Sequence, residues 1–188
     1  RRRYCGRDFL VQEYVDPPLL LHGKFKFDFR VYVLLARANP WLVYYRDGYL
    51  RRARLPFDKA NHDNHPDAHI TNGKSIWKKM KSGATGEAFT PWNYLWAFAD
   101  LQRHLSRRYT SHTGKPLPPH WVRDELRPYL KEVAKFVFLA GVASRWERPG
   151  RRLSDLRKIP GTTNLWALDL TVDEDLHPYL LEGNAAPS

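Results

Sequence analysis

From Lys24 to Leu35 the chain reads KFKFDFRVYVLL, with polar and apolar side chains alternating. Successive side chains on a strand leave opposite faces. Phe25, Phe27, Phe29, Val31 and Val33 therefore share one face, and Lys24, Lys26, Asp28, Arg30 and Tyr32 share the other. A period of two over this length specifies a half-buried strand and excludes an amphipathic helix. Such a strand needs sheet neighbours and a layer over its aromatic face.

The rest of the chain offers both. DFLVQEYV (8–15) reads as a strand stopped by Asp16-Pro17-Pro18, and WLVYYRDGYLRRARL (41–55) as a hairpin turning at Asp47-Gly48. Residues 56–86 are polar and read as a long loop. TPWNYLWAFADLQRHLSRRY (90–109) has a Thr cap, a Pro in its first turn and apolar residues at helical spacing. A second helix is expected over 119–146, kinked or split at Pro128. TNLWALDLTV and HPYLLEGN, flanking DEDL, form an expected antiparallel hairpin. Strands, then helices, then strands predict an α+β fold, a mixed sheet with helices packed against it.

With 188 residues, 43% hydrophobic and 14% aromatic, the chain can bury a core as one domain or as part of a larger one. Its 31 Lys and Arg against 20 Asp and Glu give a net charge of +11, which favours an acidic partner. A single cysteine, Cys5, excludes an internal disulfide and a cysteine-built zinc site, and predicts an intracellular protein. No stretch approaches the roughly 20 apolar residues of a membrane span. The opening RRRYCGRDFLVQEYV, without a start methionine, predicts that the chain is part of a longer protein.

The terminal hairpin carries the most chemistry. Pairing about a turn between Asp175 and Leu176 sets Asp169 opposite Glu182, with Cβ atoms about 5 Å apart. Asn184 follows on the same face, roughly 6.6 Å along the strand. Two carboxylates so close repel unless a cation lies between them, and this set of hard oxygen donors suits Mg²⁺ bound with a nucleotide. The alternative is three solvent-facing polar residues near a turn. The Lys26, Asp28, Arg30 face is likewise either a solvated surface or a cleft wall that grips phosphates.

VQEYV, PLLLHGKFKFDFRVYVLL, RDGYLRRARLPF, HITN and LDLTVDEDLHPYLLEGNAAPS, in this order, resemble the tubulin tyrosine ligase-like family over nearly the whole chain. The resemblance implies an ATP-grasp fold, of which residues 1–188 are the C-terminal part. It also implies a ligase that joins glutamate, glycine or tyrosine to a protein carboxyl group, usually on tubulin, through an acyl-phosphate made from ATP. Carried onto this sequence, Gln12, Glu13, Tyr14 and Val15 would line the adenine, and Lys26 and Asp28 would contact ATP. Thr71 and Asn72 would reach the nucleotide and its metal, and Asp169, Glu182 and Asn184 would bind Mg²⁺. Arg30 and Arg51, the catalytic pair, would face the phosphate and the incoming amino acid. Partners and setting follow in the same way: the acidic tails of tubulin or microtubules, the cytoplasm and cytoskeleton, and the cilium or flagellum as a specialised location. The chain departs from the family at Gly73-Lys74, where glutamate-adding members continue with Tyr-Ser. The glycine-rich phosphate loop and its lysine, expected before VQEYV, would lie upstream, so this portion alone is expected to be inactive.

Two other readings stay open: a catalytically silent ligase-like module that binds microtubules or another assembly, and a basic nucleic-acid-binding domain. The arginines, among them Arg1 to Arg3, Arg51, Arg107 and Arg151, fit a solvated surface or one meeting acidic tails better than a nucleic-acid stripe. His62, His65 and His69 read as loop histidines, without the cysteines that a zinc site of this spacing usually has.

Overall fold

The computed structural model describes residues 2–4, 7–9, 11–60, 65–72, 93–109, 114, 116–143 and 160–185. Strands β1 (Arg2–Tyr4) and β2 (Arg7–Phe9) pair as a separate two-stranded ribbon. The main sheet comprises β3 (Leu20–Leu21), β4 (Phe25–Ala38), β5 (Trp41–Arg52), β6 (Leu95–Trp96), β7 (Asn164–Val172) and β8 (Pro178–Asn184). Its order is β6-β5-β4-β7-β8, with β3 also paired to β4. Every pairing is antiparallel. Among the described residues two α-helices, α1 (Phe98–Arg108) and α2 (Arg127–Ala143), join the sheet in a mixed α+β unit.

The alternation in β4 decides which face the helices cover. Phe27, Phe29, Val31 and Val33 are all buried, as are Leu168, Leu170 and Val172 from β7. Phe98, Leu101 and Leu105 of α1, Trp121, Val122 and Leu126 before α2, and Leu130 and Ala134 within it close the same core. Phe27 meets Phe29 edge-on at 5.3 Å, and Phe29 stacks on Phe98 at 5.5 Å. A side chain of this size gains about 1.5–3 kcal/mol from full burial, so these aromatics are the main anchor of helix on sheet.

Four sequence expectations are corrected. Of the expected strand 8–15, only Asp8 and Phe9 among the described residues belong to a strand, Arg7–Phe9. Gln12 to Val15 run outside the sheet, Val11 is exposed, and Gln12 Nε2 reaches only the Leu181 carbonyl, at 3.4 Å. Asp47-Gly48 is not a turn. The hairpin turns at Asn39-Pro40, and β5 runs straight through Gly48. Arg30 pairs with Tyr49 and Val31 with Asp47, leaving Gly48 as the extra residue of a bulge. A Cβ there would lie 2.3 Å from the Arg30 carbonyl oxygen, which explains a glycine inside a strand.

The first helix starts at Phe98, not at Thr90, and Thr90 lies outside the described residues. Leu95 and Trp96 pair instead with Arg51 and Leu50 as an edge strand, tertiary pairing overriding helical spacing. Asp100 caps the helix by accepting the Ala97 backbone N–H at 2.9 Å. The second helical region is split. A wide five-residue turn, Val122–Leu126, precedes α2, with the Arg127 N–H bonded to the Val122 carbonyl. Pro128 sits in the first turn of α2, where its missing N–H is tolerated. Residues 144–146 of the expected helix, and most of the expected loop, lie outside the described residues.

The last hairpin has the expected pairing for an unexpected reason. Its loop sets Val172 opposite Pro178 and Leu170 opposite Leu180, a register that alone would bring Leu181 to Asp169. A bulge at Leu181 shifts the pairing by one residue, so Asp169 faces Glu182. Without it the carboxylate of Glu182 would point to the other face of the sheet.

Candidate functional site

On the face of the sheet away from the helices, β4, β5 and β7 present Asp28, Arg30, Arg51 and Asp169 side by side. Register does this directly: Asp28 is opposite Arg51, and Arg30 is opposite Asp169. The Arg51 Nε and Nη2 atoms donate to the two Asp28 oxygens at 2.7 and 2.5 Å, and Nη2 also lies 2.9 Å from Asp169 Oδ2. Arg30 grips Asp169 with Nε and Nη2 at 2.9 and 2.8 Å. Asp28, Arg51 and Asp169 are buried, so the charged face of β4 is not a solvated surface. Two aspartates and two arginines alternate, which neutralises a group of charges that burial alone would strongly disfavour.

The network continues at both ends. Asn184 Nδ2 donates to Asp169 Oδ2 at 3.1 Å and to Glu182 Oε1 at 3.2 Å, and Glu182 is exposed. At the other end Thr71 Oγ1 donates to Asp28 Oδ2 at 2.6 Å. Thr71 arrives on the segment 65–72, which is fastened to the chain just beyond β5, where buried Asp67 accepts from Arg54 Nε at 2.9 Å and its carbonyl accepts the Arg54 and Leu55 N–H groups. Lys26, on the same face of β4, places Nζ 4.5 Å from the centre of the Tyr14 ring. The Tyr14 hydroxyl donates to His69 Nδ1 at 2.9 Å, while His69 Nε2 bonds the Asp58 carbonyl at 3.0 Å. Since a carbonyl can only accept, Nε2 carries the proton and Nδ1 is the acceptor.

One continuous row thus runs from Tyr14 through Lys26, Asp28 with Thr71, Arg51, Asp169 with Arg30, and Asn184 to Glu182. Of the other residues singled out in the sequence, Gln12, Glu13 and Asn72 are exposed and Val15 is half-buried. His69 carried no signal beyond that of a loop histidine, because its partner Tyr14 lies 55 residues away. Arg54 and Asp67 were equally silent.

Environment sets the charge states. Burial pushes the Asp169 carboxyl up, but the Arg30 hydrogen bond and the Arg51 charge outweigh it and hold the group below its ordinary value. Burial disfavours the Arg51 cation, and the bonds to Asp28 and the Asp169 charge more than restore it. Hydrogen bonding to Asp169 raises Arg30 against its own burial. Lys26 is lowered by burial, with the Asp28 charge partly opposing. Tyr14 is raised to about 12, by burial first and then by the charge of Asp16.

Mg²⁺ is the metal implied by the sequence resemblance. Among the described residues no group of three or more His, Cys, Asp and Glu side chains is gathered for a metal. The trio Asp169, Glu182 and Asn184 supplies two carboxylates and an amide. The Asn184 amide nitrogen sits between the two carboxylates, a position that also suits a cation, and turning the amide over would offer its oxygen instead. This donor set has the oxygen chemistry that a hard ion such as Mg²⁺ seeks, and Asp169 in it is also held by Arg30 and Arg51.

A sequence profile described as the tubulin-tyrosine ligase family matches residues 4–118. A mouse protein named protein polyglycylase TTLL10 is 33% identical over 180 residues, which is 95% of this chain and 22% of that protein. A human protein named tubulin monoglycylase TTLL3 is 29% identical over 181 residues, 96% of this chain and 20% of that protein. A human protein named probable tubulin polyglutamylase TTLL2 is 29% identical over 184 residues, 96% of this chain and 26% of that protein. The chain therefore spans about a quarter or less of the length of these curated relatives. The profile covers more than half of the chain, and the sheet with its two helices is consistent with part of the ATP-grasp-like fold of such proteins. The chain belongs to the tubulin-tyrosine ligase family.

Proposed function

We propose that this chain supplies the metal and nucleotide wall of an ATP-dependent ligase that joins an amino acid to a carboxyl group of tubulin. The observation that carries this reading is the buried row Asp28–Arg51–Asp169–Arg30, which opens through Asn184 onto exposed Glu182. Phosphoryl transfer to a carboxylate brings two anions together, and fixed cations lower that repulsion best where water is excluded. Arg30 and Arg51 are such cations, held in place by two buried aspartates. Lys26 adds a third on the same face, with Tyr14 and Thr71 bounding the space for the nucleotide. Asp169, Glu182 and Asn184 would hold Mg²⁺, which would neutralise phosphate oxygens when bound. The acceptor carboxylate takes the γ-phosphoryl group, ADP departs, and the amine of the incoming amino acid then displaces phosphate, losing its proton. Two of the relatives described above are named glycylases, which makes glycine the first amino acid to test. The work of such an enzyme would be cytoskeletal.

The test is incorporation of labelled glycine, glutamate and tyrosine into tubulin by the full-length protein and by Glu182→Gln. Turnover with one amino acid, abolished in the variant while microtubule binding persists, is the expected result. Full activity in the variant overturns the metal assignment. A second reading, a silent module that binds microtubules, has one observation in its favour. A human relative, 27% identical over 179 residues, is named inactive polyglycylase TTLL10. Microtubule binding without incorporation of any amino acid would select it.

A further inference from the structure

A pocket of about 570 Å³ opens on the helix side of the sheet, lined by His22, Trp96, Asp100, Arg103, His104 and Arg107. Register fixes the side. Trp96 pairs with Leu50, which lies in the core under the helices, whereas Leu95 pairs with Arg51 and only bounds the pocket at its rim. The sheet therefore stands between this pocket and the charged row. His22, Trp96 and His104 form a ring cluster, each pair edge-on, with centroids 5.4, 4.6 and 5.6 Å apart for His22–Trp96, His22–His104 and Trp96–His104. The His22 backbone N–H donates to His104 Nε2 at 3.0 Å, fastening the turn before β4 to α1. An accepting ring nitrogen carries no proton, so His104 is neutral and the cations of the pocket are its two arginines. Asp100 accepts from the Ala97 N–H and from Arg103, and these bonds hold its carboxyl below the ordinary value, as a carboxylate. Arg107 has no ion pair among the described residues.

We propose that this pocket binds a small phosphate monoester carried on a planar ring, the chemistry of a mononucleotide. The charges ask for one anionic group. Two arginines and one carboxylate leave a single positive charge in the lining, and an anion between Arg103 and Arg107, one helical turn apart, relieves their repulsion. Guanidinium forks meet phosphate oxygens with paired N–H donors, which favours phosphate over a halide or a lone carboxylate. A bare inorganic anion would leave most of the volume unfilled, whereas the volume suits a small organic molecule. The organic part meets the ring cluster, and aromatic rings pack on one another offset or edge-on with centroids about 4.5–7 Å apart. A flat base therefore fits beside His22 and Trp96. A longer polyanion is disfavoured, because Asp100 repels charge beyond the first group. None of this rests on the ligase reading: a nucleotide on the charged row would lie across the sheet, and the ligand here would be a second one.

The experiment is isothermal titration of the full-length protein, with Mg²⁺ and a non-hydrolysable ATP analogue in excess so that any site on the charged row is filled. The probes are AMP, adenosine, ribose 5-phosphate and inorganic phosphate. Two variants are compared with the parent. Arg107→Glu reverses an exposed charge. His22→Asn removes one ring but keeps the backbone donor, and asparagine tolerates the φ of 55° found there. AMP should bind the parent. Arg107→Glu should weaken AMP and ribose 5-phosphate about tenfold and spare adenosine. His22→Asn should weaken AMP and adenosine and spare ribose 5-phosphate. That split between ring and phosphate supports the site. No AMP binding by the parent, AMP affinity indifferent to both variants, or inorganic phosphate bound as tightly as AMP overturns it. A single-stranded oligonucleotide bound more tightly than AMP, and equally sensitive to Arg107→Glu, overturns it in favour of a nucleic-acid surface. Absence of amino-acid incorporation in a separate assay bears on the ligase reading alone.

Discussion

Arg51 is the hinge of the charged face, since its guanidinium bonds Asp28 through two donors and touches Asp169 with one of them. Replacing it by Met keeps much of the volume but leaves two buried carboxylates facing each other. Breaking a buried ion pair in this way costs about 3–5 kcal/mol. The expected outcome of Arg51→Met is a fall of that size in urea unfolding of the full-length protein. Arg51→Lys should recover only part, because an ammonium cannot repeat the forked geometry. Asp169 gives a pH prediction of defined sign. Its folded pKa lies below the ordinary carboxyl value, so its contribution to stability is complete above the unfolded pKa of about 3.9 and is lost as pH falls through the lower folded value. Asp169→Asn should flatten the acid limb of the stability curve below about pH 4 and leave the neutral limb shifted by a constant. A variant as steeply acid-sensitive as the parent would show that Asp169 is not held by its arginines.

At the scale of elements, two bulges aim the side chains. Gly48 absorbs one residue of β5, and the strand then delivers Arg51 opposite Asp28. Gly48→Ala would drive a methyl group against the Arg30 carbonyl oxygen and the Tyr32 ring, at 2.3 and 2.9 Å from the new carbon. Overpacking of this kind costs about 1–3 kcal/mol. Because the clash falls on Arg30 itself, nucleotide affinity of the full-length protein, read by calorimetry, should drop along with the thermal midpoint. A stable variant with unchanged affinity would show that the bulge does not position Arg30. The bulge at Leu181 works in the same way for Glu182. β6, only two residues long, borrows Leu95 and Trp96 from what reads as a helix and makes them a sheet edge.

For the whole molecule, the balance of charge and the share of the relatives' length matter most. A surplus of +11 beside a buried charged row that is neutral in itself leaves the cations largely on the surface. Association with an acidic partner such as tubulin tails should therefore weaken as salt rises past about 0.15 M, where screening acts within about 8 Å. Co-sedimentation with microtubules across a salt series measures this, and salt-independent binding would argue for an apolar interface. Among the described residues no helix is long and apolar enough to cross a membrane. The chain spans 22% of the mouse relative, and transfer needs groups converging on the phosphate from more than one side. On the proposed ligase reading, residues 1–188 alone are expected to give no incorporation of amino acid into tubulin, and a longer protein that carries them is expected to give it. Equal turnover by both would show that one wall suffices.

The residues by themselves determined the two faces of β4, because a period of two has only one folded solution once one face is aromatic. They also determined the α+β order of elements, the antiparallel final hairpin and the family, whose KFKFDFR and LEGN stretches are local. Tertiary structure decided what local pattern cannot encode. Asp47-Gly48 has the chemistry of a turn, but pairing with β4 made it a bulge, and the turn fell at Asn39-Pro40. Leu95 and Trp96 keep helical spacing, but the open edge of β5 took them as a strand. The Asp169–Glu182 pairing was legible from the sequence, while the bulge that produces it was not. Tyr14 found His69, and Thr71 found Asp28, across 55 and 43 residues of chain. Asp28 and Arg30 looked equally suited to water or to a cleft, and only the register of three strands showed each one locked to a partner of opposite charge. Contacts of that range arise when the sheet closes, since each is a relation between strands and no segment contains it alone.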